Sequence, residues 1–324
     1  MGIENTRRLL KHLLCPLLLA VLNLAAAQCA AAEPFLVLSQ NMNRLFDDID
    51  DGNNEKILSK AAFRARITQA AHKFSRDFAL PQVIALQEVE NVNVVQQIAA
   101  QMRQHYATDY RVVLIPGQDI SAINLAFMVQ ADIEIRKTQQ LFREQRLPVD
   151  GSPLFSRPPL YLEACYRARC LSLLNLHLRS MRGIDDAERG ERVARKRLHQ
   201  AETIAIWANR YQRVNSDSLL MILGDFNALT PADKHVDVAG IIRGNPDNRR
   251  TRLASSDLLN PDLIDLTRRI PAPRRYSYIF RQKKQQLDYM FANQALTDTV
   301  ETIAFAAIDY SFSDHAGLLV RHRW

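Results

Sequence analysis

The chain alternates between short apolar runs and segments with a helical stripe. Phe35-Leu-Val-Leu-Ser and Val83-Ile-Ala-Leu read as buried strands. Between them, Phe63, Ile67, Ala70, Ala71 and Phe74 recur at three- and four-residue steps, which predicts a helix over Ala61–Phe78. A second helix is predicted over Val92–Tyr106, with Val95, Ile98, Ala99 and Met102 on one face. Strands are predicted at Tyr110–Ile115, Leu125–Val129 and Ile133–Arg136. A proline-rich loop, Pro148–Pro159, leads into a hairpin around Arg167-Ala168. The longest helix, Ala187–Tyr211, carries Ala194, Leu198, Ala201, Ala205 and Ala208 as its stripe. Leu219–Leu223 is apolar throughout, as in a strand covered on both faces. Residues 229–275 read as polar loops, and the last strands fall at Tyr276–Phe280, Leu287–Phe291, Val300–Ala304 and Leu318–Val320. Strands and helices mix without a steady βαβ rhythm, which suggests two packed sheets flanked by helices in one domain.

The N-terminus breaks this pattern. Arg7, Arg8 and Lys11 precede an apolar run, Leu13–Ala27, and Ala30-Ala31-Ala32 follow. This is the layout of a secretory leader over residues 1–32, leaving 33–324 as the mature domain in the periplasm or outside the cell. A membrane anchor would need a longer run without Pro16 and Asn23. Lipid attachment at Cys29 is disfavoured by the large polar Gln28 before it. No later stretch reaches spanning length, so no stable membrane anchor is expected. Cys165 and Cys170 remain in the mature chain and stand where they could face each other across the hairpin. An oxidising compartment would join them, and two free thiols are the alternative.

The whole chain of 324 residues carries a net charge of +7, and the part beyond residue 32 carries +5. The excess is local. Residues 243–284 hold eleven Arg and Lys against four Asp, and Arg249, Arg250 and Arg252 lie among them. Such a stretch suits a polyanion held through its backbone, a solvated loop or a membrane surface.

Polar residues stand at the ends of the apolar strands. Asn41 follows the first, and Glu88 follows the second in Leu-Gln-Glu-Val-Glu-Asn. His177 ends Asn-Leu-His, while Asp225 and Asn227 form Gly-Asp-Phe-Asn. Asp288 follows Gln-Leu, and Asp314-His315 closes Ser-Asp-His. Singly, each has an ordinary structural reading. Together, in this order, they resemble the endonuclease/exonuclease/phosphatase superfamily, the deoxyribonuclease I-like proteins, over residues 35–320. Arg157-Pro-Pro-Leu looks like the family's arginine strand before the histidine, and Tyr276-Ser-Tyr278 adds likeness to its exported bacterial nucleases.

The resemblance implies an α/β four-layer αββα sandwich and metal-dependent phosphodiester hydrolysis. It implies Mg²⁺ or Mn²⁺ at Glu88, with Asn41 and Asp314 contributing directly or through water. It assigns Asp225 and Asn227 to the attacking water, and His177 and the His315–Asp288 pair to the phosphoryl oxygens. Arg157 and Tyr278, with the Arg249, Arg250 and Arg252 stretch, are expected to contact substrate. Nucleic acid, DNA first and RNA second, is the expected substrate of a monomer. A phosphatase or phospholipase C-like enzyme is the alternative, and a non-catalytic envelope or DNA-binding protein is the reading from another class. No apolar protruding hairpin, as a lipid-acting relative would use, stands out. The sequence departs from the superfamily pattern at Asn43, Tyr289 and Ala316-Gly317; Asn43 leaves a second metal position open. Zinc-dependent hydrolysis is a weaker alternative, since no His-Glu-x-x-His or Cys-x-x-Cys occurs.

Overall fold

Period-two strands and helical stripes sort themselves into four layers in the computed structural model, which describes residues 34–52, 55–229 and 233–324. The expected leader lies outside the described residues. In chain order, β1 (Pro34–Leu45), α1 (Lys60–Arg76), β2 (Val83–Val89), α2 (Val92–Tyr106), β3 (Tyr110–Leu114) and β4 (Asn124–Gln130) come first. Next are β5 (Glu134–Gln140), β6 (Leu160–Tyr166), β7 (Arg169–His177), α3 (Gly190–Val214), β8 (Leu219–Asp225) and α4 (Val238–Arg243). The chain ends with β9 (Ile264–Asp265), β10 (Tyr278–Phe280), β11 (Lys283–Gln285), β12 (Asp288–Ala292), α5 (Gln294–Thr297), β13 (Val300–Phe305) and β14 (Leu318–Arg323).

Two six-stranded mixed sheets result. One runs β13-β14-β1-β2-β4-β3 and the other β5-β6-β7-β8-β12-β9. The pairs β1–β2 and β7–β8 are parallel. On the outer face of the first sheet, Ile67 and Phe74 of α1 and Val95, Ile98 and Met102 of α2 pack on Leu38, Ile84, Leu86 and Met128. On the outer face of the second, the α3 stripe packs on Leu174, Leu176, Leu220, Ile222 and Phe291. The inner faces meet, with β2 and β4 against β6, β7 and β8. These are the four layers expected from the sequence.

One polar residue bridges the two inner faces. Asn175 of β7 is fully buried. Its amide nitrogen donates to the carbonyls of Leu86 (3.0 Å) and Ala126 (3.1 Å) in the first sheet. Its oxygen accepts from Gln87 Nε2 at 2.8 Å. A buried amide holds this position only with its partners present, so the bridge sets the register of one sheet on the other.

The structure departs from the sequence reading at three places. β1 runs on to Leu45, with polar Ser39, Gln40 and Asn41 buried along it and Met42 and Leu45 in the core. The supposed loops of 229–275 contain α4, β9 and two 3-10 turns. An exposed hairpin, β10–β11, is present and carries Phe280 at 48% exposure. Arg281, Lys283 and Lys284 hide it in the sequence. The β6–β7 hairpin turns on Arg167 and Ala168, with φ of +49° and +64°, a two-residue turn whose twist suits the strands. Cys165 and Cys170 are cross-strand partners there and are disulfide-bonded.

Gly224 precedes the first residue of the rim at φ +127°, and a Cβ there would lie 2.1 Å from the Leu176 carbonyl oxygen. No side chain fits without separating β7 from β8. Gly224→Ala is therefore expected to cost on the order of 3 kcal/mol or more in urea unfolding, whereas a change at Gly183, where nothing lies within 4 Å of an added Cβ, should cost less.

Candidate active site

Strand register assembles half of the site. β7, β8 and β12 end on one rim, with His177 beside Asp225 and Asp288 opposite Asp225. All three occupy inner positions, in phase with Asn175, Leu223 and Met290. The other half comes from the first sheet. Asn41 pairs with Gln87, again on the inner face.

Glu88 would not reach the site by simple alternation. Residues 84, 86 and 88 share a parity, and Ile84 and Leu86 face the helices. A bulge between Gln87 and Val89, with Glu88 at φ +58°, turns the carboxylate to the rim and returns Val89 to the core. A second irregularity, between Asn41 and Leu45, puts Asn43 and Arg44 at φ +48° and +54°. There the Arg44 backbone N–H donates to Glu88 Oε2 at 3.0 Å. Asn227 is also left-handed, at φ +50°. Four left-handed residues thus flank one group of polar side chains.

These side chains touch. Asn41 Nδ2 donates to Glu88 Oε1 (3.2 Å) and to Asp225 Oδ2 (3.1 Å). His177 Nε2 lies 3.7 Å from Glu88 Oε1 and 3.6 Å from Asp225 Oδ2. The Asn227 backbone N–H donates to Asp225 Oδ1 at 2.8 Å, and its side-chain amide donates to the Leu178 carbonyl. His315 Nδ1 donates to Asp288 Oδ2 at 2.7 Å, which leaves Nε2 directed toward Asp225, 3.9 Å away. Tyr278 packs its ring 5.0 Å from that of His315.

The electrostatics separate the two histidines. Burial alone would lower the His315 pKa, but the charge and hydrogen bond of Asp288, then Asp225 and Asp314, raise it to about 10. It is an imidazolium at neutral pH. Burial, then Arg157 and His315, hold His177 well below the ordinary histidine value, so it is neutral. Burial, then the neighbouring Asp288, push the Asp225 carboxyl up to about 7. A base poised near neutral pH beside a charged donor suits acid–base chemistry on one substrate.

The donor set also suits a hard cation. Glu88, His177 and Asp225 offer ligand atoms within 4.8 Å of one another, and Asn41 adds an amide. Oxygen predominates, as Mg²⁺ or Mn²⁺ requires. The second such group, Asp225, Asp288 and His315, suits a metal less well, because Asp288 already occupies His315 Nδ1. Asp314 makes no side-chain ion pair among the described residues; its charge acts on Arg66, Tyr278 and His315.

Other expected substrate contacts are placed differently. Arg157 has its donors engaged: Nη1 to Asp119 Oδ2 at 2.5 Å, Nε to the His177 carbonyl and Nη2 to the Leu178 carbonyl. It supports the rim from behind. Arg249 and Arg250 are exposed beside Asp247, and Arg252 pairs with Glu191 at 2.5 Å. No contact joins these three to the rim among the described residues.

The sequence reading passed over several supports. Arg66 of α1 donates to the carbonyls of Met42, Asn43 and Arg44, fixing the strained bend beside Glu88. Buried Ser277 accepts from the backbone N–H of Leu287 and Asp288. Ser313 Oγ donates to the Asn41 carbonyl and accepts from the His315 N–H. The serines lie within or beside motif fragments, a usable signal; Arg66 sits on a helix face that looks merely solvated.

No family model and no curated protein sequence matches the chain. Solved structures do. D. rerio TDP2 complexed with a single-strand DNA product is 16% identical, with TM-score 0.55, covering 89% of this chain and 98% of its own. An endonuclease/exonuclease/phosphatase from Bacteroides vulgatus is 12% identical, with TM-score 0.56 and the same coverages. The fold is the endonuclease/exonuclease/phosphatase fold. Beta toxin from Staphylococcus aureus shares it too, at 13% identity and TM-score 0.54, over 88% of this chain and 99% of that one. Identities this low establish the endonuclease/exonuclease/phosphatase fold and leave the chemistry to the side chains.

The His315–Asp288 pair can be tested directly. With Asp288→Asn the main raising influence is gone while burial, which lowers it, remains, so the His315 pKa should fall clearly from about 10. Imidazole NMR titration reads the change; an unmoved His315 titration would show that the pair does not set the charge.

Proposed function

We propose that the chain is an exported, Mg²⁺- or Mn²⁺-dependent phosphodiesterase acting on nucleic acid, with DNA as the first substrate. The observation that carries the reading is one rim on which buried, charged His315, neutral His177, Asp225 near neutral pKa and an oxygen-rich pocket at Glu88 and Asn41 converge.

A divalent ion held by Glu88 and Asn41, with Asp314 through water, would offset the charge of the phosphodiester. The protein's own groups then divide the work. Asp225, held by the Asn227 N–H and by Asn41, takes the proton of the attacking water. His315 Nε2 and the neutral His177 Nε2 donate to phosphoryl oxygens, and these bonds strengthen as negative charge builds in the transition state. The phosphorus–ester bond breaks on the side opposite the incoming water, and the leaving oxygen is protonated from solvent or His315. Asp288 keeps His315 charged and oriented. No covalent enzyme intermediate is involved.

Two observations support a polynucleotide. The basic stretch 243–284 precedes Asp288 in the chain, and a TDP2 of the same fold is complexed with a single-strand DNA product. The lipid-headgroup reading draws on exposed Phe280 in the β10–β11 hairpin, beyond Tyr278. No described helix is long and apolar enough to cross a membrane. The non-catalytic reading would leave the shared orientation of so many buried polar groups without a use. Export rests on the leader pattern, and N-terminal sequencing of the secreted protein tests it.

Purified protein lacking the leader should hydrolyse plasmid DNA with Mg²⁺ and not with chelator. Glu88→Ala and His315→Ala should each lower kcat by roughly 10²–10⁴. RNA, a synthetic phosphodiester and sphingomyelin run beside it. Hydrolysis of lipid without nucleic acid would overturn the substrate, and no metal-dependent hydrolysis of any ester would overturn the enzyme. Reversing the charges of Arg249, Arg250 and Arg252 together should weaken plasmid cleavage and leave the small diester unchanged; equal loss on both would make the stretch structural.

A further inference from the structure

The β10–β11 hairpin adjoins the rim and carries groups that the chemistry above does not use. β10 begins at Tyr278, whose ring lies 5.0 Å from that of His315. Side chains two apart along a strand share a face. Phe280 therefore shares the face of Tyr278, roughly 6.8 Å farther along the strand. Lys283 is the cross-strand partner of Phe280 and lies on that face too. Only Arg281 and Gln282 join the strands, at φ +45° and +65°, a two-residue turn that fixes the register. Paired backbone thus holds the half-exposed Phe280 ring out in water.

Charge is the second observation. Arg281, Lys283 and Lys284 lie on the hairpin, and no Asp or Glu occurs from Leu266 to Leu287. The Arg281 guanidinium lies 5.2 Å from the centre of the Phe280 ring, and Lys284 Nζ lies 4.2 Å from that of Tyr276. Arg249, Arg250, Arg252 and Arg268 have acidic neighbours, but these three have no ion-pair partner among the described residues. A flat apolar ring among unpaired cations matches a ligand with flat bases on an anionic backbone. A lipid surface fits less well, because the extremity of the hairpin is Arg281-Gln282 and cannot enter hydrocarbon.

We propose that the Tyr278–Phe280 face is a stacking platform for a single-stranded polynucleotide. With a phosphate at His315, Phe280 receives an unpaired base about two base spacings away, at about 3.4 Å per nucleotide of one strand, and the flanking cations meet the backbone. Bases inside a duplex already have both faces stacked, so they cannot cover Phe280. The inference rests on the nucleic-acid reading above and narrows it to a preference for unpaired strands.

The folded domain carrying Asp225→Asn, which leaves strands uncut, tests the platform by fluorescence anisotropy in Mg²⁺. The probes are a short labelled DNA strand, its duplex, and the same strand with abasic sites in place of bases. The base-bearing single strand should bind tightest. Adding Phe280→Ala should raise its Kd roughly 5- to 150-fold, to that of the abasic strand, and Phe280→Trp in its place should keep the tight binding. Phe280 is exposed, and circular dichroism checks that the variants fold. Equal affinity of the parent for base-bearing and abasic strands overturns the platform, and so does a Phe280→Ala variant that still separates them. Binding to sphingomyelin vesicles that Phe280→Ala abolishes, with strand binding unmoved, overturns it in favour of lipid. Base-dependent binding by a protein whose wild type cleaves no phosphoester would sustain the platform and sink the proposed activity.

Discussion

Everything at the rim depends on the separation of two sheets, and the Asn175 amide fixes it. Neither sheet owns a complete site. The first contributes Asn41 and Glu88; the second contributes His177, Asp225 and Asp288. Apolar inner faces alone slide easily, because dispersion is non-directional. Asn175 is directional. It holds the Leu86 and Ala126 carbonyls and the Gln87 side chain, two residues before His177 on its own strand and one before Glu88 on the other. The gap between His177 and Glu88, 3.7 Å, is therefore set within a few residues of the reacting atoms.

That separation also sets the charge. Drawing carboxylates together out of water raises their pKa values unless a cation answers them. Asp288 is hydrogen-bonded to His315 at 2.7 Å. Asp225, between Asp288 and Glu88, accepts from the Asn41 and Asn227 N–H groups and has the His315 imidazolium 3.9 Å away, but burial and Asp288 outweigh these and hold its pKa near 7. His177 has no carboxylate hydrogen-bonded to its Nδ1, which is buried and unpartnered, so burial wins and the ring stays neutral. The two histidines differ because only one has an aspartate behind it.

Most of the site was legible in the sequence, because apolar strands announce their own ends and the polar residues there follow a superfamily order. The layers were legible for the same reason: stripes such as Ala194–Ala208 face the sheet that the apolar runs predict. Contacts between distant segments were not. Arg66 meets its carbonyls about one helix away, and Ser313 meets Asn41 across 272 residues. No local pattern marks either. Glu88 was found by motif, yet alternation alone would have pointed it into the helix layer; the bulge that rescues it is invisible without the partner strand. Arg157 was expected to contact substrate, but its donors are taken by Asp119 and two carbonyls that only folding brings within reach.

The basic stretch shows the same limit in reverse. Counted along the chain it is a strong excess of positive charge, but in the fold several of its members already have acidic neighbours: Arg249 and Arg250 beside Asp247, Arg252 on Glu191, Arg268 on Asp265. The arginine heads in these pairs are half-exposed or more, and exposed pairs hold weakly in water and salt. A phosphate backbone offers the same guanidinium groups a denser line of negative charge than isolated carboxylates do, and gains counterion release as it binds. The pairs keep the arginines ordered without committing them. Charge bookkeeping along a sequence therefore measures what a surface can exchange, and the neighbours it folds against decide how easily the exchange occurs.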